Sequence, residues 1–108
     1  MDKVPSPSAV RWKHGRRRQC VLQRGERAAR RFADRVRSEG VLAEVRSEIG
    51  CERYEYYISS EDPERVLLVE RWADIPSFEA HKAGGPLERI HRIQEGAGVS
   101  AVIERFEC

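Results

Sequence analysis

The 108-residue sequence predicts one small α+β domain, a four-stranded antiparallel sheet with its helices on one face. Three observations predict it. A short apolar run leads into a stretch of helical period. Two β-rich runs flank an acidic Asp-Pro turn. A glycine-punctuated helical region then precedes a closing apolar run.

Residues 1–17 contain Pro5, Pro7, Ser6, Ser8 and the start of the run Arg16-Arg17-Arg18 with little apolar periodicity, so they read as a basic amino-terminal extension. The domain proper is expected to span 18–108. Gln19 to Gln23 (QCVLQ), before Gly25, predicts a first strand. From Glu26, the residues Ala28, Ala29, Phe32, Ala33 and Val36 recur at the spacing of one helix face, with arginines opposite. Gly40 predicts a break. Val41, Leu42, Val45 and Ile49 then continue the stripe in a second helical stretch ending near Gly50.

Cys51 to Ser60 (CERYEYYISS) alternates with period two and predicts a strand with Glu52, Tyr54, Tyr56 and Ile58 on one face. Residues 59–64 have turn chemistry. Arg65 to Trp72 (RVLLVERW) is apolar without clear alternation and predicts a central strand buried on both faces. Asp74 is a candidate N-cap for a helix from Ile75 to about Lys82, stopped by Gly84-Gly85. Pro86 suits the first turn of another helix, with Leu87, Ile90, His91 and Gln94 on one side and Gly96 and Gly98 ending it. Ser100 to Phe106 predicts the last strand. Strand, helix, strand, strand, helix, strand is the split βαβ order of ferredoxin-like domains.

The net charge is only +2, but residues 1–47 carry thirteen Lys or Arg against five Asp or Glu, and residues 48–108 carry seven against thirteen. A basic arm raises nucleic-acid binding as a possibility. The absence of aromatics interleaved with Arg16-Arg17-Arg18 argues against it and for a solvated tail. No apolar stretch is long enough to span a membrane, and the first residues lack the apolar segment of a secretion signal, so a cytoplasmic protein is expected. Cys20, Cys51 and Cys108 are odd in number and widely spaced without a CxxC pair, which predicts reduced thiols and no metal site.

The segment GCERYEYYISSEDPERVLLVERWADIPSFEAHKAGG resembles the core signature of the antibiotic biosynthesis monooxygenase family. The match lies in Gly50-Cys51, the tyrosine-rich strand with Tyr54 and Tyr56, Asp62-Pro63, the apolar strand ending in Trp72, and the following helix with His81. It extends less strictly from about Gly25 to Phe106. The resemblance implies a dimeric α+β barrel, in which the free sheet face meets a second subunit and a pocket lies between sheet and helices. It also implies a cofactor-independent monooxygenase that oxidises an aromatic or quinol-type molecule with O2. The basic extension and the first strand depart from the family pattern.

On this reading His81 and Trp72 are the catalytic candidates, and Tyr54, Tyr56, Phe78 and Phe32 the substrate-binding ones. His81 could take a phenolic proton because an imidazole titrates near neutrality. The tyrosines could bind substrate oxygens, and Trp72 could form an apolar wall. Each residue type is also common in ordinary cores. His91 has the spacing of the axial histidine in haem-degrading relatives, yet the other residues those relatives use are missing, which favours an ordinary helix residue. A non-catalytic ligand-binding or stress-response domain is the main alternative.

Overall fold

The computed structural model describes residues 17–108, so residues 1–16 of the expected extension lie outside the described part. The described chain runs β1 (Gln19–Glu26), α1 (Ala29–Ser38), α2 (Val41–Arg46), β2 (Cys51–Ile58), β3 (Val66–Trp72), α3 (Ile75–Lys82), α4 (Gly85–Ala97) and β4 (Ser100–Glu107). The sheet order is β2-β3-β1-β4, every neighbour antiparallel, which is the ferredoxin-like split βαβ arrangement.

Helical period decides what each helix buries. Ala29, Phe32, Ala33 and Val36 of α1 and Val41, Leu42 and Val45 of α2 point inward. Phe32, Val36 and the three α2 residues meet Val21 of β1, Tyr54 of β2 and Leu68 and Trp72 of β3 in one core, with Phe78, Ile90 and Ile93 closing it from α3 and α4, while Ala29 and Ala33 pack on Val66 in a second cluster. Asp74 caps α3, its side chain accepting the Ser77 N–H at 2.9 Å.

Several sequence expectations need correction. β1 runs on to Glu26 because it pairs with β3 as far as Gly25 and with β4 as far as Glu26, so α1 begins at Ala29. Once α2 ends at Arg46, Ile49 leaves the apolar stripe and is 88% exposed. Gly96 lies within α4. Gly98 ends that helix, with φ +69 and its N–H on the carbonyls of Gln94 and Glu95. β3 lies inside the sheet as expected, yet only Val66, Leu68, Glu70 and Trp72 are buried; Leu67, Val69 and Arg71 on the other face are half-buried in the single chain.

A bulge between Cys51 and Arg53 interrupts the alternation of β2. Cys51 therefore packs on the core beside Trp72, while Glu52, expected with the tyrosines, pairs instead with Arg18 and Arg71 at 2.8 and 3.1 Å. The expectation of reduced thiols also fails for two cysteines. Antiparallel pairing of β1 with β4 brings Cys20 and Cys108 to a Cα separation of 5.9 Å, and they form a disulfide. Their separation of 88 positions in sequence hid a pairing that only sheet topology creates.

The turn before β2 has little freedom. Gly50 has φ +83, and a Cβ placed there would stand 2.1 Å from Ser77 Oγ at the start of α3. Gly50→Ala is expected to lower stability by about 1–2 kcal/mol from the backbone alone, with a further penalty if Ser77 cannot turn away. Urea unfolding of the two proteins would measure it.

Candidate functional site

A cavity of about 590 Å³ opens between the inner sheet face and the helices, within the range of small-molecule sites. β1 gives it Val21 and Gln23, β2 gives Tyr54 and Tyr56, and β3 gives Val66, Leu68 and Glu70. Helices α1, α3 and α4 add Phe32, Phe78, His81, Leu87 and Ile90. The exposed side chains of Lys82, His91, Glu95 and Arg105 also line it, while Glu70 and His81 are buried in its wall among apolar and aromatic side chains.

The strand period places Tyr54 and Tyr56 on this face, as expected. Their rings meet edge to face at 6.1 Å, and Phe32 meets Tyr56 in the same way at 6.2 Å. Burial pushes both phenols up, so they stay neutral hydrogen-bonding groups. The Tyr56 hydroxyl is shielded from solvent and makes no hydrogen bond of normal geometry among the described residues, although Tyr54 is near enough to affect its ionisation. A ligand oxygen in the cavity would satisfy it. Phe78 forms the floor below two cations, with Lys82 Nζ 4.8 Å and the Arg105 guanidinium 5.9 Å from its ring centre.

His81 and Trp72 come together, but they do different things. Trp72 is fully buried and does not line the cavity. Its indole lies against the His81 ring, centroids 4.4 Å apart and planes 26° from parallel, and so backs the imidazole. Its Nε1–H donates to Glu70 Oε1 at 3.0 Å. His81, only 2% exposed, places Nδ1 2.8 Å from Glu48 Oε1 and Nε2 3.8 Å from Glu70 Oε1.

Sequence reasoning missed both carboxylates. Glu70 is 5% exposed on the cavity wall, and desolvation raises its pKa to about 7, against the pull of the Trp72 hydrogen bond and the Arg105 charge. The signal was present as a glutamate sharing the inward period of Val66, Leu68 and Trp72 on an interior strand. Glu48 carried no comparable signal, because it reaches His81 from the loop between α2 and β2. Cys51 is no nucleophile: burial first, then the negative charges of Glu48 and Glu70, push its thiol to about 11. His91 is an exposed residue at the cavity margin. Among the described residues no group of three or more His, Cys, Asp or Glu is placed to hold a metal ion.

The sequence profile described as antibiotic biosynthesis monooxygenase matches residues 24–107, most of the chain and every cavity-lining element except the first part of β1. The chain belongs to the antibiotic biosynthesis monooxygenase family. No curated protein matches it significantly. Solved structures agree on the fold of this family member. A conserved protein from Methanosarcina mazei Go1 superposes with a TM-score of 0.72 at 20% identity, covering 83% of this chain and 91% of that one. SnoaB from Streptomyces nogalater, described as a cofactor-independent oxygenase and solved as a point mutant, gives 0.72 at 13% identity over 84% and 92%. Protein SO0527 from Shewanella oneidensis gives 0.63 at 25% identity over 84% and 91%.

Proposed function

We propose that this family member is a cofactor-independent monooxygenase acting on an electron-rich aromatic or quinol-type molecule with O2. The observation that carries the reading is an aromatic-lined cavity of about 590 Å³ whose wall holds a buried imidazole between two carboxylates. Without a metal or flavin, the substrate must supply the electrons, and removing an acidic proton gives an anion able to do so. For an activated ring methylene the reaction balances without an outside reductant. One oxygen atom of O2 becomes the new carbonyl oxygen, and the other leaves as water with both methylene hydrogens. The protein's part is to hold the ring system, accept and return a proton, and keep bulk water away. Tyr56, Tyr54 and Gln23 can bind substrate oxygens, Phe32 and Phe78 can hold its rings, and His81 belongs to the proton-handling group with Trp72 fixing its plane.

Oxygen uptake with a panel of anthrols, naphthoquinols and catechols tests this. Uptake above the uncatalysed rate is expected on at least one member, falling about 100-fold in His81→Ala at matched folding. Uptake at the background rate on every member would leave a ligand-binding domain as the better reading.

The working unit is proposed to be a homodimer joined through the outer sheet face. Leu67 and Val69 are half-buried there, while Val102, Phe106 and Tyr57 are among the large side chains left exposed. Burying that row would cover the face the helices leave open. Sedimentation at micromolar concentration should give a dimer, and a monomer would contradict it. Among the described residues no helix is long and apolar enough to cross a membrane.

A further inference from the structure

We infer that Glu70, His81 and Glu48 form a proton path from the cavity to the surface, with Glu70 as the group that takes the substrate's proton and Glu48 as the exit. The inference rests on the oxygenase reading and deepens it. Glu70 lines the cavity; Glu48 does not. Glu48 instead lines a separate surface hollow with Pro76, Ser77 and Ala80, and its side chain is 21% exposed. Among the described residues His81 alone lines both spaces.

The ring presents one nitrogen to each carboxylate. Nδ1 is at hydrogen-bond distance from Glu48, and Nε2 is within ion-pair range of Glu70. With Nδ1–H donated to the Glu48 carboxylate, the Nε2 lone pair is left facing Glu70. Substrate O–H or C–H gives its proton to the Glu70 carboxylate, leaving the electron pair on the substrate. The Glu70 proton passes to Nε2 as Nδ1–H passes to Glu48, and Glu48 releases it to water. Run backward, the path returns one proton to the peroxide anion that oxygen addition creates. No oxidant or reductant is consumed in the transfers.

The surroundings suit this division of labour. Trp72 holds Glu70 Oε1 by a hydrogen bond, and the substrate's proton would be taken at the other carboxylate oxygen. Arg105 of β4 is the cation that lowers the Glu70 pKa, while Tyr54 and Tyr56 of β2 stay neutral. Cys51 of β2, also near both carboxylates, remains a thiol. Lys82 of α3 and His91 and Glu95 of α4 lie on the exposed margin. A buried carboxyl titrating at about 7 can both accept and return a proton near neutrality.

Two measurements test the path, and only one needs turnover. Nitrogen-15 NMR of the folded protein at pH 8 should show His81 as the Nδ1–H tautomer. The Nε2–H tautomer would overturn the path, because Nε2 would then have no lone pair for the Glu70 proton. On whichever panel substrate the wild type oxidises, kcat/KM should rise through pH about 7 and fall about 100-fold or more in Glu70→Gln. Glu48→Gln keeps a hydrogen-bond acceptor for His81 but cannot carry the proton. It should lose kcat several-fold with KM unchanged, and added imidazole buffer should restore it. A Glu48→Gln enzyme with wild-type kcat at low buffer concentration would also overturn the path. If no panel substrate is oxidised, the oxygenase reading falls, and the tautomer still decides the path.

Discussion

Glu70→Gln is expected to be more stable than the wild type by about 3 kcal/mol at pH 8, and no more stable at pH 4. Burial raises the folded-state pKa of Glu70 from 4.5 to about 7, and each unit of such a shift corresponds to about 1.4 kcal/mol. The sign follows from proton binding. Between those two values the folded protein holds a proton that the unfolded chain has released, so wild-type stability falls as pH rises through this window and levels off above it. Glutamine offers Trp72 the same acceptor geometry without a charge to bury. Urea midpoints of both proteins from pH 4 to 8 should therefore diverge upward for the variant. Parallel curves would mean that Glu70 is not desolvated as described. Such a gain in stability at a site where activity is lost would mark the residue as kept for its chemistry.

The second large effect is expected at Trp72. It is fully buried, stacks on His81 and donates to Glu70. Trp72→Ala should cost about 3–5 kcal/mol through the cavity it leaves. It should also release the Glu70 carboxylate from its one side-chain hydrogen bond among the described residues. Trp72→Phe retains a ring against His81 but not the indole donor, so it should keep much of the stability and still alter the pH profile. Equal stability of Trp72→Ala and wild type in urea would remove Trp72 as the support of the site.

The architecture was legible because its signals are local. Phe32, Ala33 and Val36 declare the inner face of α1, Asp74 the start of α3, and the hairpin around Asp62-Pro63 the pairing of β2 with β3. Tyr54, Tyr56, Phe32, Phe78 and His81 reach one cavity because strand and helix period put them there. What stayed hidden depends on distant contacts. The Cys20–Cys108 bond needs β4 beside β1, the position of Glu52 needs the bulge, and Glu48 reaches His81 across 33 positions of chain. Glu70 was readable, yet an apolar strand taken as buried on both faces gives no reason to ask which face its one acidic residue occupies. Trp72 was read as a cavity wall because aromatic residues beside a pocket usually touch it; here His81 stands between.

The central claim is that this cavity oxygenates an aromatic substrate without a bound cofactor. The most direct measurement is mass spectrometry of the product formed under ¹⁸O2 with purified protein and no added reductant, metal or flavin. The account predicts one labelled oxygen atom in the product and loss of that labelled product in Glu70→Gln. Product without label would contradict it, whereas labelled product formed equally fast by Glu70→Gln would overturn the proton path and leave the oxygenation standing.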